Sequence, residues 1–259
     1  MKKLLIFALF IICMLSVVNG QETPVATPDI SKNIIKLNLT SLPLKNFSLQ
    51  YERVLTKSIS GALTFSMMPE TNMPNFIANE GIKLARDNGS IDAETESLIR
   101  NVLVSSYSIT PEIRFYPGHK KYGTGFYIAL FYQYGHYEAS NLPIPFTNDL
   151  EEDIKIITTG KVTSHTGGFM LGHQWSLGRH MCLDWQMFGP HFGISSGDIV
   201  GLPTSPLSSG DQAKFEDEVN DINIPMLKPT IDATADKVKM TFDGPWGGIR
   251  FALAFGVKF

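Results

Sequence analysis

The groups in this 259-residue chain with the means to do chemistry are six histidines, two cysteines and a thin scatter of charges. An acyl-transfer centre needs a hydroxyl or thiol nucleophile, a histidine base and an orienting carboxylate within hydrogen-bond reach. The histidines are His119, His136, His165, His173, His180 and His191. Ser164 and His165 are neighbours, and on a strand neighbours point to opposite faces, which is poor geometry for a dyad. His191 and Ser195, four apart near a loop, make no better pair. No grouping of cysteine, histidine and carboxylate has metal-ligand spacing, and no glycine-rich loop is set to cradle a phosphate. The sequence therefore predicts no catalytic residue, no metal and no cofactor. What remains is a set of mixed charges: Lys36, Glu52, Glu112, Arg114, Asp184 and Arg250. Such groups pair with one another where water is excluded, because a buried charge survives only when paired and hydrogen-bonded.

The element that must position Arg250 is the run from Gly248 to Phe259. Ile249, Phe251, Leu253, Phe255, Val257 and Phe259 alternate with Arg250, Ala252, Ala254, Gly256 and Lys258. A strand sends alternate side chains to opposite faces, so one face is apolar and the other is small or charged. Alternation sustained over about ten residues is the pattern of a membrane-spanning barrel strand. An arginine facing lipid near the midplane would cost about 2–4 kcal/mol, so the Arg250 face is the lumen. A chain stopping on an aromatic residue within its last strand resembles outer-membrane barrels. Phe255, Val257 and Phe259 are accordingly expected to form the signal read by the barrel assembly machinery.

The other end fits export. Met1-Lys2-Lys3, an apolar run from Leu4 to Val18, and small residues at Val18-Asn19-Gly20 predict a signal peptide over residues 1–20. Residues 21–32 read as a flexible leader and residues 33–259 as the barrel. No later stretch approaches the roughly 20 continuous apolar residues of a membrane helix, which leaves a closed barrel as the route across a bilayer. Cys13 leaves with the signal, so Cys182 has no internal disulfide partner. The formal charge of −3 becomes −5 without Lys2 and Lys3, and gives no reason to expect nucleic acid.

The remaining strands follow from the same alternation. Ile35-Leu37-Leu39, Phe47-Leu49-Tyr51 and Ile59 to Met67 give three strands joined by short turns. Phe76–Arg86 and Asp92–Leu103 have helical spacing, with Gly89 between them and Asp92 as a cap. Ile109 to Phe115 is a strand in which Pro111 removes a ladder donor, so a bulge or strained pairing is expected there. Phe126–Tyr137 is a fifth strand, aromatic on both faces, so its parity stays open. Val162–Trp175 and Met181–Gly193 follow, with the Gly168, Gly172 and Gln174 side and Asp184 turned inward. About fifty residues then precede the last strand. The count gives an all-β fold: an eight-stranded antiparallel up-and-down transmembrane β-barrel with short helices in the long loops. Long segments follow the third, fifth and seventh strands, which is the short-turn, long-loop asymmetry of outer-membrane barrels. The acids gather in those segments while the turns carry Lys57, Lys120, Lys121 and Arg179.

Eight strands enclose a lumen just wide enough for its side chains to fill. Lys36, Glu52, Glu112, Arg114, Asp184 and Arg250 are therefore expected to interlock as a salt-bridge network, with an ion or proton path as the alternative. In the last long loop, Phe215, Val219 and Ile222 at helical spacing form a candidate partner surface, unless that helix folds back as a cap over the barrel mouth. Outer-membrane lipid and lipopolysaccharide are the expected surroundings. The expected role is non-enzymatic, structural or interaction-mediating; a small-solute or ion channel and a lipid A-modifying enzyme are the alternatives.

Three segments also carry a resemblance: Asn33–Asn38 with Ser48–Leu55, Thr110–Pro117, and Gly172–Trp175 with the closing Phe255–Phe259. Together they resemble an uncharacterised family of Bacteroidetes outer-membrane barrels, the domain of unknown function 3575. The resemblance implies the barrel fold and carries over no catalytic residue or ligand. A further likeness, to small barrels of the OmpA and OmpX kind, is architectural only.

Overall fold

The computed structural model describes residues 31–88, 93–118, 122–148, 151, 153–221 and 228–259. The signal peptide, the leader as far as residue 30, Gly89 and Asp92 lie outside them. Among the described residues nine strands run in chain order: β1 (Asn33–Asn38), β2 (Phe47–Val54), β3 (Ile59–Asn72), β4 (Leu103–Phe115), β5 (Gly125–Thr147), β6 (Asp153–Leu177), β7 (Met181–Pro203), β8 (Lys228–Ala233) and β9 (Val238–Lys258). Helices α1 (Asn75–Asn88) and α2 (Ala93–Arg100) lie between β3 and β4, and α3 (Ser209–Asp221) follows β7.

Each strand pairs antiparallel with its neighbour from β1 to β7, β7 pairs with β9, and β9 closes on β1. That is a ring of eight strands, the up-and-down barrel that the alternation predicts. Closure runs through Ile34↔Lys258, Ile35↔Val257 and Leu37↔Phe255. It is completed by the Asn33 amide donating to the Phe259 carbonyl at 3.1 Å and the Phe259 amide donating back at 2.9 Å. The ring leaves no free edge along its closed part.

Alternation fixes the two faces. Ile35, Leu49, Leu63, Ile113, Leu130, Phe251 and Val257 point outward and are exposed, while Lys36, Gln50, Glu52, Arg114, Gln174 and Asp184 are buried inside. β5 resolves to Tyr127, Ala129 and Phe131 inward against Phe126, Ile128, Leu130 and Tyr132 outward.

Three expectations change. The expectation at Pro111 narrows to its second half: β4 pairs with β5 as Ile109↔Tyr134, the pairing lapses at Thr110 and Pro111, and it resumes in the same register as Glu112↔Phe131, while register shifts fall elsewhere, one of them between Met68 and Thr71. A missing N–H interrupts one side of a ladder without adding a residue to it. The strands β5, β6, β7 and β9 are also far longer than expected, at 23, 25, 23 and 21 residues. A membrane crossing uses only about 9–11. The excess lies at the end bearing the long connections, where hairpin pairing continues after the apolar alternation has lapsed. The segment before the last strand is therefore shorter than fifty residues, and it contains the unforeseen β8, paired with Val238–Asp243.

This extension has its own small core of Phe146, Ile154, Ile156, Leu207, Phe215 and Val238. α3 starts at a reciprocal cap, in which the Ser208 amide donates to Asp211 Oδ2 and the Asp211 amide to Ser208 Oγ. Its Phe215 packs edge-on to Phe146 at 5.5 Å, and Val219 packs against the same cluster. Phe215 and Val219 are thus not an open partner surface, because the chain itself covers them, and Ile222 lies outside the described residues. In the other long connection Glu96 pairs with Arg86 and Arg100, tying α1 to α2.

Candidate functional site

The lumen charges that the strand parity turns inward meet at one level. Lys36 of β1 donates to Glu52 of β2, to Gln174 Oε1 of β6 at 2.5 Å and to Asp184 Oδ2 of β7 at 2.6 Å. An ammonium has three donors, and all three are used. Arg114 of β4 spreads its guanidinium across the centre. Nε donates to Glu112 Oε1, Nη1 to Asp184 Oδ2 at 2.7 Å and Glu52 Oε2 at 3.1 Å, and Nη2 to Gln50 Oε1 at 2.9 Å. Its plane lies 4.4 Å above the Tyr127 ring. The planar fork suits such a position, since it can serve several carboxylates and stack on an aromatic face at once.

Neutral donors complete the two central carboxylates. Ser60 Oγ and Tyr116 Oη donate to Glu52 Oε1, and Tyr127 Oη donates to Asp184 Oδ1 at 2.8 Å. Gln174 donates its amide to the Gly123 carbonyl at 2.6 Å, and Gln50 to Thr64 Oγ1 at 2.8 Å. Lys36, Glu52, Glu112, Arg114 and Asp184 have no side-chain exposure. A buried network whose members are nearly all satisfied is rigid, because breaking any one contact strands a charge in a low-dielectric interior. It fills the end of the lumen near the short turns.

Small neighbours make room for it. Gly256 sits where a Cβ would lie 2.8 Å from Lys36 Cγ and 2.8 Å from Cys182 Sγ. Gly172 sits where one would lie 2.3 Å from Tyr127 Cζ.

Five of the six predicted lumen charges are therefore brought together. Arg250 is set apart: its nearest carboxylate is Glu112, with Nη1 4.0 Å from Oε2, rather than Glu52 or Asp184, and its guanidinium stacks 4.5 Å over Phe131. Its side chain keeps 18% exposure, facing the open half of the lumen. Lys258 donates to Ser176. Sequence reasoning missed Gln50, Ser60, Tyr116 and Tyr127 as members. Tyr116 had a usable signal, since it shares parity with Glu112 and Arg114, whereas Tyr127 lies on the strand whose two faces are both aromatic.

Among the described residues the histidines stay dispersed, and His119 lies outside them. His165 meets Tyr132 Oη at 2.6 Å, His136 meets Thr163 at 3.2 Å, and His191 lies beside Phe131. Ser164 is buried in the lumen while His165 contacts an outward tyrosine, so the two do face apart. Phe255, Val257 and Phe259 lie exposed on the outer face of the closing strand.

Fold and lumen together define a small antiparallel β-barrel closed internally by ion pairs. The model of the family described as protein of unknown function (DUF3575) matches residues 6–189, and the chain belongs to that family. No curated protein and no solved structure matches the chain.

Proposed function

We propose that this is a bacterial outer-membrane protein, non-enzymatic and structural or interaction-mediating, whose barrel spans the membrane with its lumen plugged. One observation carries this reading: the polarity of the ring is inverted. Leu130 is 65% exposed, Ile194 68% and Phe251 70%, while Arg114, Glu52 and Asp184 are fully buried. A barrel in water gains by the opposite arrangement, whereas lipid rewards apolar side chains outside and tolerates charge only within. The plug also bears on the channel alternative. Ions crossing would have to displace side chains held by several charge-assisted bonds each, which supports a closed resting state. Membrane lipid and lipopolysaccharide are the surroundings such a band would contact, and the assembly machinery is the partner that would insert it.

The test is fractionation with a heat-modifiable gel shift, read beside Leu130→Arg. The wild type should be recovered in the outer membrane, migrating differently when boiled. The variant should lose about 2–4 kcal/mol of stability in vesicles. In planar bilayers the intact protein should give no steady conductance. Recovery from the soluble periplasm, or a Leu130→Arg protein as stable as the wild type, would sink the membrane reading, and stable open events would sink the plug.

A further inference from the structure

Above the plug the lumen opens into a cavity of about 360 Å³ whose wall is part polar and part apolar. That lies within the roughly 300–1,000 Å³ of small-molecule sites. Hydroxyl side chains supply much of its wall, among them Ser48, Ser66, Ser106, Ser108, Thr64 and Thr110. Its floor is Lys36 and Gln50, members of the plug, so the cavity is a dead-ended cup rather than part of a passage.

Two residues lining the cup carry a buried polar atom with no hydrogen-bond partner among the described residues, Asn46 Oδ1 and Gln133 Oε1, while Arg250, also on the wall, directs its Nη1 at Glu112 Oε2 4.0 Å away. Buried polar atoms are ordinarily satisfied, so two beside one cavity ask for an explanation. The set is chemically mixed. Asn46 and Gln133 each present an amide, which donates and accepts; Arg250 only donates; the hydroxyls do both. A simple anion would use the donors alone. Charge argues the same way. The plug sets Glu52, Glu112 and Asp184 against Lys36 and Arg114, and Arg250 supplies the third positive charge, leaving the group neutral. A buried anion would upset that balance. Tyr137 adds an aromatic wall, backed by Trp246 with ring centroids 5.5 Å apart.

We propose that this cup binds a neutral polyhydroxylated ligand, a saccharide ring whose hydroxyls both donate and accept and whose apolar C–H face rests on Tyr137. The ligand could be a free sugar or the terminal sugar of an envelope glycolipid, and the chemistry is the same. The proposal needs the barrel and its plug but not the membrane location, so its failure is separable from failure of the functional reading.

Of the three tryptophans, Trp175 and Trp185 stack on each other, leaving Trp246 as the reporter. The experiment is fluorescence titration of full-length W175F/W185F protein in a non-sugar detergent. The probes are glucose, galactose, maltose, purified lipopolysaccharide and inorganic phosphate. A saturable Trp246 response to at least one sugar is expected, unchanged by phosphate. Gln133→Ala should weaken it about tenfold, the loss of one good polar contact, and Ser108→Phe, which fills the cup, should abolish it. Competition by lipopolysaccharide would assign the glycolipid source, and its absence a free sugar. Heat-modifiable migration certifies folding; if Ser108→Phe fails it, Gln133→Ala alone decides. No saturable response to any sugar or to lipopolysaccharide, a response to phosphate instead, or a sugar response indifferent to Gln133→Ala would overturn the proposal.

Discussion

Lys36→Met is the sharpest perturbation of the plug, because methionine keeps much of the side-chain length and removes only the charge and its donors. Lys36 has no exposure and contacts two carboxylates and one amide, so the variant leaves Glu52 and Asp184 facing Arg114 as their sole charged donor. Removing one partner of a buried pair costs about 3–5 kcal/mol, since the stranded charge keeps its desolvation penalty. At 1.4 kcal/mol per factor of ten, the folding equilibrium should drop by a hundredfold or more. Glu52→Gln, which strands charge of the opposite sign, should also destabilise. The double variant removes both charges together, so its loss should fall short of the sum of the singles by about 1–3 kcal/mol. The assay is urea unfolding of the vesicle-inserted barrel, followed through Trp175 and Trp185 at the plug end and checked by gel migration. A Lys36→Met loss within ~0.5 kcal/mol, typical of a surface position, combined with additive singles, would refute the picture of a dry, interlocked plug.

Two glycines separate steric necessity from mere presence. Gly172→Ala places a methyl 2.3 Å from Tyr127 Cζ, on a ring held by Asp184 and by the overlying Arg114, and should cost about 1–3 kcal/mol in the same urea assay. Gly61→Ala meets nothing closer than Leu55 Cδ1 at 3.8 Å and should change stability by no more than ~0.5 kcal/mol. In the connection between β3 and β4, the hydrogen bond from Arg100, together with Arg86, holds the Glu96 carboxyl below its ordinary value of 4.5. A depressed folded-state value means the support it gives α1 and α2 is present above pH 4.5 and is lost as pH falls through the lowered value. Hydrogen exchange should therefore quicken across both helices on acidification, and Glu96→Gln should remove that pH dependence while leaving the barrel strands unaffected.

How much of this was legible from residues alone depends on where an apolar outer face and a polar inner face impose a pattern. From Ile249 to Phe259 apolar and polar positions alternate without a break, and the same rule placed Lys36, Glu52, Glu112, Arg114 and Asp184 on the inner face. Past the apolar band that pressure weakens. Pro143, Pro145 and the acidic run Glu151-Glu152-Asp153 obscure what alternation remains there, so the outer halves of β5, β6, β7 and β9 read as loop. For Phe215, helical spacing reveals an apolar face but not what covers it; the cover comes from Phe146 and Ile154 on the strands, in keeping with the folded-back helix rather than the open partner surface. Parity assigned Arg250 the right face and left Glu52, Glu112 and Asp184 open as partners; Glu112 is the one it approaches, because the partner depends on height, which the stagger of the ladders sets.

Height also explains why the lumen is shut at one end and open at the other. At the plug level the inward residues are long or aromatic: Lys36, Glu52, Arg114, Tyr116, Tyr127, Gln174 and Asp184. A barrel of eight strands has room for little else. Following β2, β3 and β4 toward the long connections, the inward positions become Ser48, Thr64, Ser66, Thr110, Ser108 and Ser106. On β2 and β4 a hydroxyl replaces a side chain several atoms longer, and on β3 the inward positions Ser60, Ala62, Thr64 and Ser66 are short throughout, so with no widening of the ring the missing volume appears as the cup. The pairings Ser48↔Ser66 and Ser66↔Ser108 stack these short residues across three adjacent strands. The cavity is thus one contiguous hollow on that side, bounded opposite by Arg250 and Gln186. A sequence needing only a solid barrel could have carried the longer residues through; here the change of side-chain length along β2 and β4, beside the short inward residues of β3, sets a rigid floor beneath a chamber walled largely by hydroxyls.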